Sequence, residues 1–319
     1  MAVERILPVV GIEGIFVATL EEFRQEVTQE IPGLLPEQII IEPVGKNTAP
    51  CIGLTALHVS RKNPDEVMVV LPSDHLIEKA DALRETLSFG IEAAGKNHLV
   101  TLGIFPSSAH TEYGYIHRGD IPIYEKRHLH AYAVNGFTEK PDRETAKRYL
   151  DEGKYLWNSG MFCWKAGIIL SEIEKFMPNL YLGLREIERT LGTDDERETT
   201  RRVFDGLKSQ SIDYGVLEKT SRCIVIPTDP GWNDLGSWLA MESVFEDDMS
   251  GNAVRGNHLS IETRNCLIDS QKPVITFGLE DLVIVERNDV VFIMPKSRSQ
   301  EMKKVIQAVN KSPGFRTYL

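Results

Sequence analysis

The chain has 319 residues, 42% of them hydrophobic and 26% charged. At about 150 residues per domain the length suits two domains, and the mixture excludes collagen, low-complexity disorder and a coiled-coil rod. Asp plus Glu number 47 against 36 Lys plus Arg, a formal charge of −11. Such a surface is expected to avoid nucleic acid and anionic membranes, although a local pocket can be basic and take a nucleotide.

From the start, Met1 to Val10 reads as the tail of a helix, followed by a strand over Gly14 to Thr19 and a charged helix from Leu20 to Glu30. Gln38 to Pro43 is a second apolar run, after which Asn47 or Thr48 can cap a helix through Leu54, Leu57 and His58. Val67 to Pro72 is apolar throughout, as a buried parallel strand requires. A helix over Ala82–Ala94 and a strand over Leu99–Phe105 follow. This alternation predicts βαβ units and a Rossmann-like, doubly wound α/β sheet.

Strand-like segments come next at Tyr115-Ile116, Ala131 to Thr138 and Asn158 to Trp164, with a helix over Arg143–Glu152 between them. Residues 167–219 read as helical, with Gly192 to Thr200 as a loop, and Cys223 to Pro227 as a strand. Beyond Asp247 short strands recur, at Leu259, Cys266, Val274, Leu282 and Val290, before a closing helix over Ser299–Val309. Residues 1–247 are thus expected to form one domain and 248–319 a small β domain, one or two coils of a solenoid.

The cysteines, Cys51, Cys163, Cys223 and Cys266, have no CxxC or Cys–His ligand spacing, and three lie in apolar runs. Buried, reduced thiols are expected, as in a cytoplasmic protein. No apolar run reaches the roughly 18 residues of a membrane span. Glu4, Arg5 and Glu13 stand where a signal peptide needs an apolar core.

Several segments combine residue types that chemistry uses. Glu42 to Pro50 follows a strand and opens a helix, where α/β proteins place ligands; a plain capped loop reads the same way. Ser73-Asp74-His75 ends a buried strand, and Asp74 there either caps the next helix or holds a metal. Glu139 and Lys140 are adjacent at a strand end, and both reach one ligand only if the strand breaks at Pro141. Trp157 to Phe162 sets Asn-Ser-Gly among aromatics, fitting a sugar platform or a core turn. Gly231 to Trp238 holds two Trp, two Gly and the single charge of Asp234. His128 and His130 have no third ligand nearby and read as surface imidazoles. No GxSxG or GxxxxGK[ST] motif is present, so hydrolase and P-loop chemistry lack support.

In order, these segments and Ile212-Asp213-Tyr214-Gly215-Val216-Leu217-Glu218-Lys219 resemble the bacterial mannose-1-phosphate guanylyltransferases, a family of sugar-nucleotide pyrophosphorylases. The resemblance runs over nearly the whole chain, and WNSGMF and GW-x-D-x-G-x-W are its most specific parts. It implies GDP-mannose and pyrophosphate made from GTP and mannose 1-phosphate with Mg²⁺. By motif, Asp74 and Asp234 would hold the metal and Lys140 would contact phosphate at the reacting centre. Gly114, Glu139 and Asn158 would line the mannose site, with Asp213 organising it. Glu42, Asn47 and Thr48 would lie along the nucleotide. The resemblance further implies a left-handed β-helix-like C-terminal segment able to support a homodimer. Alternatives are a pyrophosphorylase for another sugar and nucleotide, or a noncatalytic sugar-nucleotide-binding subunit.

One departure from the family pattern stands out. Its first strand and Gly-rich loop, GGxGxRxWPLS, and the PKQF segment after it, do not occur in this sequence. These residues alone are therefore expected to show little transferase activity, since losing even one oxyanion-type donor costs about 10²–10³-fold. An unfilled apolar position in the sheet is expected as well.

Overall fold

The computed structural model describes residues 2–318 apart from Ser237 and Asn288. Ser237, within the Gly231–Trp238 segment, therefore lies outside the described residues. The chain divides into two compact units, Met1–Trp232 and Asn233–Leu319.

The first unit runs α1 (Ala2–Val10), β1 (Val17–Leu20), α2 (Arg24–Glu30), β2 (Ile39–Glu42), α3 (Thr48–Lys62), β3 (Val67–Val70), β4 (Leu76–Ile77), α4 (Ala80–Ala94) and β5 (Leu99–Ile104). It continues with β6 (Tyr115–Lys126), β7 (Leu129–Thr138), α5 (Arg143–Glu152), β8 (Tyr155–Lys165), α6 (Ala166–Phe176), α7 (Pro178–Thr190), α8 (Glu196–Gly206) and β9 (Cys223–Thr228). β10 (Trp232–Asn233) spans the division.

Six strands form a mixed sheet in the order β3-β8-β5-β9-β7-β6. β5 and β9 are parallel from Leu99↔Cys223 to Ile104↔Thr228, and β8 is antiparallel to both β3 and β5. Period-two side-chain direction divides the apolar residues between two faces. On one, Met68, Phe162 and Trp164 pack against Leu54, Leu57, Ile169 and Leu184 of α3, α6 and α7. On the other, Val100, Leu102, Cys163 and Ile224 meet Leu83, Leu87 and Phe89 of α4. Helices on both faces make the fold doubly wound, as the alternation predicts. Among the described residues β1 and β2 pair, in parallel, only with each other.

Short elements such as β4 and those at Trp238–Met241 and Ala253–Arg255 have no counterpart in the sequence reading, and two longer ones differ from it. β6 continues ten residues past Tyr115-Ile116, because its outer half is a largely solvated arm whose pattern carries no apolar alternation; its register with β7 shifts repeatedly. α8 begins at Glu196, inside the stretch read as loop, with Glu196 and Glu198 in the first turn where the helix dipole favours acids.

The second unit contains α9 (Trp238–Met241), β11 (Glu246–Asp247), β12 (Ala253–Arg255), β13 (His258–Ile261), β14 (Leu267–Asp269), β15 (Val274–Phe277), β16 (Leu282–Arg287), β17 (Val290–Pro295) and α10 (Met302–Lys311). β12, β14 and β16 stack in parallel, with β11 and β17 antiparallel at the edges, and β13 and β15 form a second parallel layer. This is a β-helix-like coil. Cys266, Ile268 and Ile284 fill one side of the larger sheet, and Leu267, Val283, Val285 and Met294 the other. Fully buried Asn252 crosses between turns, donating to Asp248 and to the Thr263 carbonyl and accepting from the Cys266 N–H at 2.9 Å. Cys163, Cys223 and Cys266 are buried, and all four cysteines are free thiols that burial pushes up in pKa. Among the described residues no helix is long and apolar enough to cross a membrane.

Candidate active site

The site begins where β7 ends. Lys140 takes a left-handed φ of 48° immediately before Pro141, so the strand breaks there and the strict alternation that would send Glu139 and Lys140 to opposite faces is lost. Asp142 then caps α5, accepting the Thr145 N–H at 2.8 Å. Lys140 is exposed, whereas Glu139 is half-buried. Its carboxylate lies so close over Gly114 that an added Cβ there would overlap it. Glycine at 114 is thus a requirement of approach. The Asn158 N–H in turn donates to the Gly114 carbonyl at 2.8 Å.

Asn158, on β8, is fixed through both ends of its amide. Its Oδ1 accepts from Thr101 Oγ1 at 3.1 Å and from the Gly160 N–H at 3.3 Å, while Nδ2 donates to Asp213 Oδ1 at 2.8 Å. Gly160 has φ 70°, and a Cβ on it would lie 3.6 Å from Pro72 and 3.9 Å from His75. The irregular stretch of β8 after Asn158 thus lies against the loop that follows β3.

Three acids share this pocket. Burial, then the neighbouring Asp213 carboxylate, pushes Glu139 up to about 7, with Glu218 adding to the rise and Lys140 opposing it. Burial also raises Asp213, against the hydrogen bond from Asn158, and raises Glu218. Near neutrality Glu139 can therefore donate as well as accept, which suits recognition of a hydroxyl-rich ligand.

The segment after β2 is laced to the same region. Asn47, at φ 71°, caps α3 by accepting the Thr48 N–H at 2.8 Å. Thr48 Oγ1 accepts the Ile212 N–H at 2.9 Å, and Lys46 and Ala49 exchange backbone bonds with Gln210. Asn47 and Thr48 thus sit beside the turn that carries Asp213. Glu42 is buried at the end of β2, and burial raises its carboxyl against a hydrogen bond from Cys51.

Asp74 is exposed just past β3. Its neighbour His75 accepts the Trp232 indole N–H at 3.0 Å, and its carbonyl accepts from Arg5 at 2.8 Å. Glu78 and Lys79 donate their N–H groups to the Pro230 carbonyl. Tyr113 meets Trp232 edge-on and stacks on His110, bringing aromatic rings to this end of the sheet. In the second unit, Asp234 accepts the Gly236 N–H at 3.0 Å, and a Cβ on Gly236 would come within 2.7 Å of Asp234 Oδ2. Among the described residues no three His, Cys, Asp or Glu gather into a metal cluster. His128 and His130 each face a carboxylate, Glu85 at 3.5 Å and Glu125 at 3.4 Å.

Gly114, Glu139, Asn158 and Asp213 thus converge, with Lys140 at the rim and Asn47 and Thr48 alongside. Sequence reasoning missed Thr101 and the electrostatic role of Glu218. A polar residue inside the otherwise apolar strand Leu99–Ile104 was the available signal for the first.

Fold and site together define a doubly wound nucleotide-handling domain joined to a β-helix-like unit. The nucleotidyl transferase family model matches residues 2–251, and that of the MannoseP isomerase/GMP-like beta-helix domain matches residues 256–309. The chain belongs to the nucleotidyl transferase family. It is 39% identical over 291 residues to a mannose-1-phosphate guanylyltransferase of Klebsiella pneumoniae, covering 90% of this chain and 61% of that protein. Over 313 residues it is 38% identical to a xanthan biosynthesis protein of Xanthomonas campestris, covering 97% and 65%. The chain thus spans about three-fifths of the length of the curated relatives it matches. A crystal structure from Thermus thermophilus, described as a mannose-1-phosphate geranyltransferase, superposes with a TM-score of 0.83 at 29% identity, covering 97% of this chain and 88% of that one.

Proposed function

We propose that this chain carries the guanylyltransferase reaction in which GTP and mannose 1-phosphate give GDP-mannose and pyrophosphate. The observation that carries the reading is the converging set of Gly114, Glu139, Asn158 and Asp213 beside Lys140, in a member of a nucleotidyl transferase family. The attacking group is a sugar phosphate whose second pKa is about 6, so it is ionised at neutral pH and needs no general base. What the protein supplies is alignment and positive charge against crowded anions. Asn158 and Glu139 hold sugar hydroxyls, Gly114 allows the sugar close to the backbone, and Lys140 faces the phosphates. Glu42, Asn47 and Thr48 line the nucleotide. Asp74 and Asp234 are proposed as carboxylate ligands of Mg²⁺, a hard cation that takes oxygen donors. Exposed Asp74 and the tight Asp234–Gly236 turn suit that role, and when bound the ion neutralises charge on the transferring phosphates. The setting proposed is cytoplasmic, with no nucleic acid or membrane partner. A homodimer is proposed through the β-helix-like unit.

Mannose 1-phosphate binding, measured by calorimetry, tests the site. Asn158→Ala is expected to weaken it about tenfold or more, as loss of a buried hydrogen-bonding partner does. Glucose 1-phosphate should bind less tightly than mannose 1-phosphate. Equal affinity for the two sugars, or an unaltered Asn158→Ala variant, would overturn the reading. Because the Gly-rich GGxGxR segment does not occur in these residues, pyrophosphate release by this chain alone is expected to be at least about 10²-fold slower than by a chain that includes it.

A further inference from the structure

A cavity of about 370 Å³ opens away from the residues of the candidate site, sharing none of Gly114, Glu139, Lys140, Asn158 and Asp213. The cavity lies between the first turns of α4, the β6–β7 arm and the segment leaving β9, and Thr86, Phe105, Arg118, His130, Tyr132 and Thr228 line it.

Its charges are unevenly matched. Glu85 is paired with His128 at 3.5 Å and Arg127 at 3.9 Å, and Asp229 with Lys79 at 2.7 Å. Among the described residues Arg118 has no carboxylate within ion-pair distance. Its guanidinium lies 4.7 Å from the centre of the Tyr132 ring and donates to the Gly119 carbonyl at 3.1 Å. A guanidinium stacked on a ring still presents its donor edge to an anion. His130 adds an Nδ1 that is buried and has no hydrogen bond, although Glu125 Oε1 is 3.4 Å away. Thr86 and Thr228 are buried and bonded to each other at 3.0 Å, with Thr86 Oγ1 donating to the Ala82 carbonyl at 2.8 Å, so they form a satisfied polar wall. Phe105 is 57% exposed immediately after β5, an apolar ring beside this polar set.

We propose that this cavity is a binding site for a small organic phosphate bearing a flat ring. The phosphate would lie on the donor edge of Arg118 and the ring on Phe105. A mostly preformed cleft with a few convergent polar groups is the ordinary form of such sites, and its volume falls within their range of about 300–1,000 Å³. The walls lead directly to the candidate active site. α4 follows the loop carrying Asp74, and Asp229 precedes the Pro230 carbonyl that Glu78 and Lys79 bind. Occupancy would steady both segments.

Phenyl phosphate is the probe, titrated by calorimetry, with inorganic phosphate and phenol as single-group controls. The full chain should bind phenyl phosphate more tightly than either control. Arg118→Ala should weaken binding about tenfold or more, the ordinary effect of losing a charged hydrogen-bonding group. Phe105→Ala should lower affinity for phenyl phosphate but not for inorganic phosphate. Asn158→Ala, in the other site, should leave it unaltered. Thermal melts of each variant establish that it is folded, and Arg118→Lys provides a milder substitution that retains the charge. Binding lost in Asn158→Ala but kept in Arg118→Ala would place the anion in the candidate active site and overturn the proposal. Failure of phenyl phosphate to bind, or binding no tighter than inorganic phosphate, would overturn it as well. The proposed function is tested by mannose 1-phosphate and this site by phenyl phosphate with Arg118→Ala and Phe105→Ala, so the two proposals fail separately.

Discussion

Glu139 couples the candidate site to pH. Its carboxyl titrates near 7 when folded and near 4.5 as a free side chain. Between those values the native chain holds a proton that the unfolded chain has released, so stability falls as pH rises through the window. The cost is complete above about pH 7 and absent below about pH 4.5. Glu139→Gln removes it and should stabilise the fold by about 1–3 kcal/mol at pH 8, with the gain disappearing as pH falls to 4.5. Denaturant unfolding at the two pH values checks this, and a gain of equal size at both would show that the substitution acts through packing. Asn158 illustrates a different point at this scale. The sequence could place its amide on a sugar platform or in a core turn, and the structure shows why both readings were open, because one amide is tied to core Thr101 on one side and pocket Asp213 on the other.

Among the elements, β5 leaves little room for change. A Cβ at Gly103 would sit 2.7 Å from both Leu156 Cδ1 and Val225 Cγ2, at the register shift between β5 and β8. Gly103→Ala should therefore destabilise by about 1–3 kcal/mol, as overpacking of a dense core does, and a shift in the unfolding midpoint without a change in slope would register it. Apolar strands such as β5 and β9 were legible because burial on both faces leaves a hydrophobic run. By contrast β3, read as a buried parallel strand, ends the six-stranded sheet, pairs antiparallel with β8 and is mostly half-buried. The outer half of β6 was not legible, because it meets solvent and is held by pairing with β7 and by side-chain contacts such as His98 with Tyr124, which leave no alternating pattern. The break at Lys140 was legible as a condition, set by Pro141, but its left-handed φ has no signature in a lysine. The β2 and β3 loops were legible by position, whereas the lacing of Thr48 to Ile212 joins residues 164 positions apart and leaves no local pattern.

For the whole molecule, strand spacing was enough to separate a doubly wound unit from a small β coil. The contact division after Trp232 falls earlier than a change in strand spacing can reveal, because α9 and its neighbours read as a continuation of the first unit while Trp238 and Met241 pack with Val283 and Met294. The second unit also exposes Leu259 and Ile261 on β13 beside Ile275 and Phe277 on β15, each pair in direct register. An exposed apolar face of this kind is the form an association surface takes. If it supports the proposed homodimer, light scattering should give twice the chain mass for the unaltered protein and the single-chain mass for Ile275→Lys combined with Phe277→Lys, both remaining folded. A dimer that survives both substitutions would remove this face from the interface.

The indole of Trp232 has an optical consequence. Its N–H is bound to the ring of His75, next to Asp74, and its ring meets Tyr113. Indole emission responds to hydrogen bonding at Nε1 and to the polarity of its surroundings, so any event that shifts the Asp74 loop alters the colour or yield of this residue. With four tryptophans in the sequence, the difference between the unaltered chain and Trp232→Phe isolates this signal, so the loop can be followed in real time by its own fluorescence, with no label attached.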